Sequence, residues 1–227
     1  MSLSLSKQER MQLFLTKNYK TLSELSEDCA VGEEKILSLE KAQCIPGHTY
    51  EMRQLCIYTC AGIDTPLTEN TDLSTTWYYH ASIASWVKEA LVMEKKMDTS
   101  EIALQVKNDF SKQLKKVLGN IKTPGCQSFD QAWNYWIDGT WGKCLKEISL
   151  KCLVKKELSR HRIAQIMEHN PEEISVDVKT ELSSAIKNYI SASLDFDTYG
   201  MRHILAEEAI EKFQLDIAID KQYLRNS

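Results

Sequence analysis

Glycine and proline are scarce, with eight and four among 227 residues. Together they reach less than half of their usual share of a globular chain. The shortage excludes collagen-like repeats, Pro-rich or Gly/Ser linkers and most turn-dense β-sandwiches. No apolar run approaches the roughly 18 residues that a membrane-spanning helix needs. The N-terminal MSLSLSKQER has no apolar stretch of the secretory kind, so no signal peptide is expected. Positive charge is not in excess either. Lys and Arg number 28 against 32 Asp and Glu, a net charge of −4, and the isoelectric point is about 5.8. Such a balance argues against bulk polyanion binding, which requires a basic footprint.

Familiar catalytic signatures are missing too. There is no G-x-S-x-G elbow, no H-E-x-x-H pair and no G-x-G-x-x-G. Gly142-Lys143-Cys144 has the look of a P-loop end, but Cys144 replaces the Mg²⁺-binding hydroxyl and Ile137 stands where the first glycine belongs. The residues therefore name no reaction and no cofactor.

What is present points to helices. Hydrophobic residues make up 43% of the chain, enough for a core at this length without disulfides or metals. The seven cysteines are odd in number and irregularly spaced, which reads as reduced thiols in a cytoplasmic protein. A first helix is expected from Ser6 to Asn18. Thr21-Leu-Ser-Glu24 is a capping box, in which the hydroxyl and the carboxylate each satisfy a backbone amide. It opens a helix ending near Cys29, and a turn at Gly32 leads to a helix from Glu33 to Gln43. Residues 1–47 thus form a helix-turn-helix-like N-terminal module, and 48–227 an α-helical body with an aromatic loop at 133–142.

In the body, residues 50–73 are ambiguous between short helix and strand. Helical spacing is expected from about Thr76 to Glu94, and again from Asp98 through the stripe Ile102, Val106, Phe110, Leu114 and Val117. Further helices are expected from Ser128 through Trp136, from Ser149 to Glu168, after the Asn170-Pro171 cap, and from Met201 to Leu215. The fold class is all-α, with almost nothing reading as sheet.

Charge is distributed unevenly. Residues 21–45 carry six acidic residues against Lys35 and Lys41, a local net of −4. The second helix opens on two glutamates and offers no arginine for a bidentate contact to guanine, so its sequence argues against DNA reading. Residues 143–162 carry seven basic residues against Glu147 and Glu157, a net of +5. A solvated face is the simpler account of such a run.

Four residues have zinc-compatible chemistry. Cys44-x3-His48 and Cys56-x3-Cys60 fall within 17 residues, and three Cys with one His is a known ligand set. Cys56 and Cys60 sit in an apolar run without knuckle glycines, so buried thiols are expected and no metal is assigned. The aromatic residues are the most unusual feature. Phe129, Trp133, Tyr135, Trp136 and Trp141 lie close together, and Trp77, Tyr78, Tyr79 and Trp86 form a second concentration. Core packing accounts for most of them, and a pocket for a flat or apolar ligand is the sharper reading.

The order of segments carries a resemblance. Ile45-Pro46-Gly47-His48-Thr49-Tyr50 is followed by Tyr78-Tyr79-His80-Ala81-Ser82-Ile83-Ala84-Ser85-Trp86. Then come Trp133-Asn-Tyr-Trp-Ile-Asp-Gly139-Thr140-Trp141-Gly142-Lys-Cys144 and, twelve residues on, Lys156-Glu157. The chain resembles domain-of-unknown-function family 6058. It departs from the family pattern at Trp141, where tyrosine is usual, and at Ile148 and Leu150, where prolines stand. The resemblance implies a bacterial cytosolic protein in or near a natural-product pathway. It supplies no catalytic residues.

The expected function is binding of a small ligand, or of a pathway protein, near the aromatic loop. Candidate ligand-binding residues are His80 as a proton carrier, Asp138 and Thr140 as orienting groups, Trp141 as an aromatic wall, and Lys156 with Glu157, more readily a structural pair. The alternatives are a DNA-binding regulator and a protein-interaction module. No membrane association is expected.

Overall fold

Helix α1 (Lys7–Asn18) turns Met11, Phe14 and Leu15 inward and runs directly into strand β1 (Tyr19–Thr21). The structure is a computed structural model that describes residues 7–53, 56–59, 62–66, 75–118, 129–194 and 204–217. Helices α2 (Leu22–Cys29) and α3 (Glu33–Lys41) follow. The expected capping box is present: Thr21 Oγ1 accepts from the Glu24 amide at 3.2 Å, and Glu24 Oε2 accepts from the Thr21 amide at 2.7 Å. Ala30 ends α2 in the left-handed region at φ 53°, and Gly32 leads into α3.

Strands β2 (Tyr50–Arg53), β3 (Cys56–Thr59), β4 (Gly62–Pro66) and β5 (Thr75–His80) complete an antiparallel sheet of order β1-β5-β2-β3-β4. In its register Tyr19 lies opposite His80, and Tyr50 opposite Tyr78. Helices α4 (Ile83–Met93), α5 (Thr99–Leu118), α6 (Phe129–Ile137), α7 (Leu150–Met167), α8 (Val176–Ala192) and α9 (Ile204–Phe213) account for most of the rest, with a 3-10 turn at Thr140–Lys143.

The chain is mainly α-helical, as its composition suggests. The near absence of sheet does not hold for residues 50–80. Thr75-Thr-Trp-Tyr-Tyr is rich in β-branched and aromatic side chains, which suit a pleated, half-buried surface. The helical spacing expected from Thr76 is carried only by residues from Ile83 onward, where α4 begins. Helix α8 also starts later than the Asn170-Pro171 signal implies. Ser175 caps it, accepting from the Val178 amide at 3.3 Å, while Asn170 turns the chain before it.

The chain divides into two compact units. The first runs to Lys116 and takes up again over Lys122–Lys143, so it holds the sheet and α1 to α6. Its aromatic centre is Phe110, with ring centroids 5.5 Å from Trp133 and 5.3 Å from Trp136. Trp136 is 1% exposed, and its Nε1 has no hydrogen-bond acceptor among the described residues. Trp86 lies beside it, edge to face at 5.6 Å. The second unit holds α7, α8 and α9 around Ile163, Ile166, Leu182, Ile186, Ala209 and Phe213. No helix among the described residues is long and apolar enough to cross a membrane.

Candidate functional site

In the first unit, two segments far apart in sequence meet backbone to backbone. Gly47 N–H donates to the Ile137 carbonyl at 2.8 Å. Gly139 has φ +80°, and a Cβ there would stand 2.6 Å from the Gly47 carbonyl oxygen and closer still to that of His48. A Cβ on Gly142 would collide with Thr49 Oγ1. The Tyr19 hydroxyl closes the seam by donating to the Gly142 carbonyl at 2.8 Å. Glycine is required at 139 because the facing backbone leaves no room for a side chain, and at 142 because the Thr49 side chain fills that space.

The seam holds His48 in place beside α3 and the sheet. Glu40, from α3, receives the His48 Nδ1–H at 2.9 Å on Oε1 and the Tyr79 hydroxyl on Oε2. The His48 amide adds a longer bond to Oε1 at 3.3 Å. Burial pushes the Glu40 carboxyl up, and the bonds from His48 and Tyr79 more than offset it, so it lies below the ordinary carboxylate range. Burial, and then the Glu40 charge, push the Tyr79 phenol up. The His48 ring stacks on Trp77 at 5.7 Å and 26°, with Tyr79 edge-on at 5.9 Å. Its side chain is 34% exposed, and Nε2 makes no hydrogen bond to the described residues. Trp77 Nε1–H in turn donates to Glu51 Oε1 at 3.2 Å. A carboxylate thus fixes one nitrogen of a histidine and leaves the other, a lone-pair acceptor in the neutral ring, at the surface.

Four of the sequence candidates lie in this unit. His80 is 4% exposed; its Nδ1 accepts from the Ser82 amide at 3.2 Å, and its ring meets Tyr19 edge-on at 5.6 Å. Tyr19 therefore links His80 to the 140–143 turn. Asp138 is exposed, and its Oδ1 accepts from the Thr140 amide at 2.9 Å. Asp138 and Thr140 flank the glycine that touches the backbone of Gly47 and His48. Trp141 is 7% exposed and donates from Nε1 to the Ala132 carbonyl at 3.2 Å, which ties the turn to α6.

Lys156 and Glu157 lie in the second unit. Lys156 Nζ donates to the Cys144 carbonyl at 2.7 Å and sits over the Tyr189 ring at 5.8 Å. Glu157 is 2% exposed and pairs with Arg160 at 3.1 Å. Burial raises the Glu157 carboxyl, and Arg160 offsets that only in part. With its folded-state value above the unfolded one, the native state binds the extra proton between the two. Stability from this group falls as pH rises from the ordinary carboxylate range through that window. Glu157→Gln is expected to flatten this fall, read as urea midpoints at a series of pH values. An unchanged slope would count against it.

The residues with zinc-compatible chemistry are otherwise engaged where they are described. Cys44 is buried, and its Sγ points to the Thr99 carbonyl at 3.3 Å. His48 is held by Glu40, and the Cys56 side chain and the whole of Cys60 lie outside the described residues. Among the described residues no group of three or more His, Cys, Asp or Glu is placed to hold a metal ion.

Sequence reasoning missed the central pair. Glu40 counts there only as local acidity, and His48 only as a residue of zinc-compatible chemistry and of the segment that carries the resemblance. The available signal was Pro46-Gly47 directly before a histidine, with a glutamate eight residues upstream on a helix.

Fold and site together define a mainly helical protein with a small antiparallel sheet that carries a carboxylate-oriented histidine. The chain belongs to the Family of unknown function (DUF6058), which it matches over residues 90–215, more than half its length. The matched range takes in the 137–142 loop and leaves Glu40, His48 and Trp77 before it. Comparison with curated proteins and with solved structures gives no match.

Proposed function

We propose that the first unit binds a small ligand at the half-buried ring of His48, whose backbone carbonyl abuts the loop bearing Asp138 and Thr140. The observation that carries this reading is the Glu40–His48 pair, which presents Nε2 at the surface in a fixed orientation. A histidine kept only for packing needs no open nitrogen. Trp77 supplies an aromatic surface, and Asp138 and Thr140 add polar groups on a loop that a rigid seam holds. His80 and Trp141 support this loop from within, through Tyr19 and Ala132. The ligand is assigned to a natural-product pathway on the strength of the family resemblance. A DNA-binding role for α2 and α3 has less support, because exposed Glu33 and Glu34 open α3.

Titration with intermediates of the pathway encoded near the gene is expected to change tryptophan emission saturably. The change should shrink in Trp77→Phe, which removes the indole stacked on His48. No response to any intermediate would remove the reading.

A further inference from the structure

We propose that Cys144 and Lys156 form an oxidative modification site, at which peroxide joins the thiol and the amine through one oxygen atom. Both residues belong to the second unit, so the site is independent of the ligand reading at His48. Lys156 is a lysine with little freedom, being only 7% exposed. Its Nζ donates to the Cys144 carbonyl at 2.7 Å, and the same nitrogen hydrogen-bonds the Cys144 thiol. The Tyr189 ring lies under it at 5.8 Å. The adjacent carboxylate, Glu157, is taken by Arg160. Backbone fixes the cysteine as well. The Cys144 carbonyl accepts from the Leu194 amide at 3.1 Å, and the Lys146 amide donates to the Ala192 carbonyl at 3.1 Å, on either side of the Leu145–Ser193 bridge.

Two groups held in contact react as one molecule, without the entropy cost of an encounter. One hydrogen peroxide takes two electrons from sulfur, giving the sulfenic acid Sγ–OH and one water. The amine then reacts after releasing a proton to solvent. A second peroxide takes two electrons from Nζ: one N–H bond and the sulfenic O–H bond break, an N–O bond forms, and two waters leave. The product is an Sγ–O–Nζ bridge between residue 144 and the second turn of α7. Burial pushes the Cys144 thiol up and Lys156 offsets that only in part, so the first step is slow and the site records sustained exposure to oxidant. Cys152 is the competing partner, one helical turn before Lys156. Its Sγ points to the Ala192 carbonyl at 3.2 Å, whereas Lys156 touches the Cys144 sulfur itself.

The test incubates the full, reduced chain with hydrogen peroxide, then digests it with trypsin for mass spectrometry. Lys146, Lys151 and Lys155 separate Cys144, Cys152 and Lys156 onto different peptides, so each possible crosslink has its own mass. The expected product joins the Cys144 and Lys156 peptides, heavier than their sum by one oxygen and lighter by two hydrogens. It should disappear on treatment with excess dithiothreitol. Cys144→Ser, which keeps the carbonyl and removes the sulfur, should abolish the crosslink, and so should Lys156→Arg, which keeps a charged donor. Cys152→Ser should leave it at the wild-type yield. Circular dichroism matching the wild type identifies the variants that fold, and the wild-type product decides the matter if one does not. A disulfide between Cys144 and Cys152 would overturn the proposal. Sulfinic acid at Cys144 without a crosslink, or a Cys144 that stays unmodified, would overturn it equally.

Discussion

Gly139→Ala is expected to lower stability by about 3 kcal/mol, one of the largest effects of any single methyl group in this chain. Two costs combine. At φ +80° an L-residue is strained by roughly 1–2 kcal/mol. The new Cβ would also sit within 2.6 Å of the Gly47 carbonyl oxygen, and backbone at that distance yields only by moving the seam. Gly32→Ala is the matched control: its φ is −66°, and nothing lies within 4 Å of a Cβ there. Urea unfolding of the three proteins checks both statements. A Gly139→Ala midpoint equal to that of Gly32→Ala would show that the seam is not a tight contact. The variant should also disturb the His48 and Trp77 resonances, because the new Cβ comes closer still to the carbonyl of His48.

Glu40→Ala is expected to cost about 2–3 kcal/mol at neutral pH, the range for losing charge-assisted hydrogen bonds at a half-buried site. The His48 Nδ1–H and the Tyr79 hydroxyl would both lose their acceptor. The sign of the pH dependence separates this from simple loss of packing. The folded carboxyl lies below its ordinary value, so its contribution is fully present above the unfolded pKa and is lost as pH falls through the folded one. The stability of Glu40→Ala should therefore converge on that of the wild type in acid and part from it toward neutrality. A constant gap across the acid range would assign the loss to packing. Tyr79→Phe should reproduce part of the gap, since it removes one of the two side-chain donors to Glu40.

The helices of this protein were readable where local chemistry decides them. Thr21 and Glu24 form the capping box that their spacing implies, and Asp98 with Glu101 opens α5 in the same way, at 2.9 and 3.0 Å. The sheet was only partly readable: residues 50–73 stood open between helix and strand, and the β1–β5 and β2–β5 pairings span separations that leave no local signal. The site was hidden for the same reason. Glu40 and Tyr79 are 39 residues apart, and neither residue type announces the other. The glycines of the loop were visible as turn formers, but the close approach of the 47–49 backbone depends on the tertiary fold. Lys156 and Glu157, adjacent in sequence, face different partners in the structure, Cys144 and Arg160.

The bond from Tyr19 to Gly142 spans 123 residues and lies inside one compact unit. During synthesis β1 leaves the ribosome long before its partner β5 and longer still before the loop that its hydroxyl reaches. Until residue 80 has emerged the edge strand lacks its ladder partner, and until residues 137–142 have emerged the Gly47 amide and the Tyr19 hydroxyl lack their acceptors. Pairings this distant form slowly, because chain closure must be achieved before the contacts compensate for it. The first unit therefore completes its fold only once the chain has been made past residue 142.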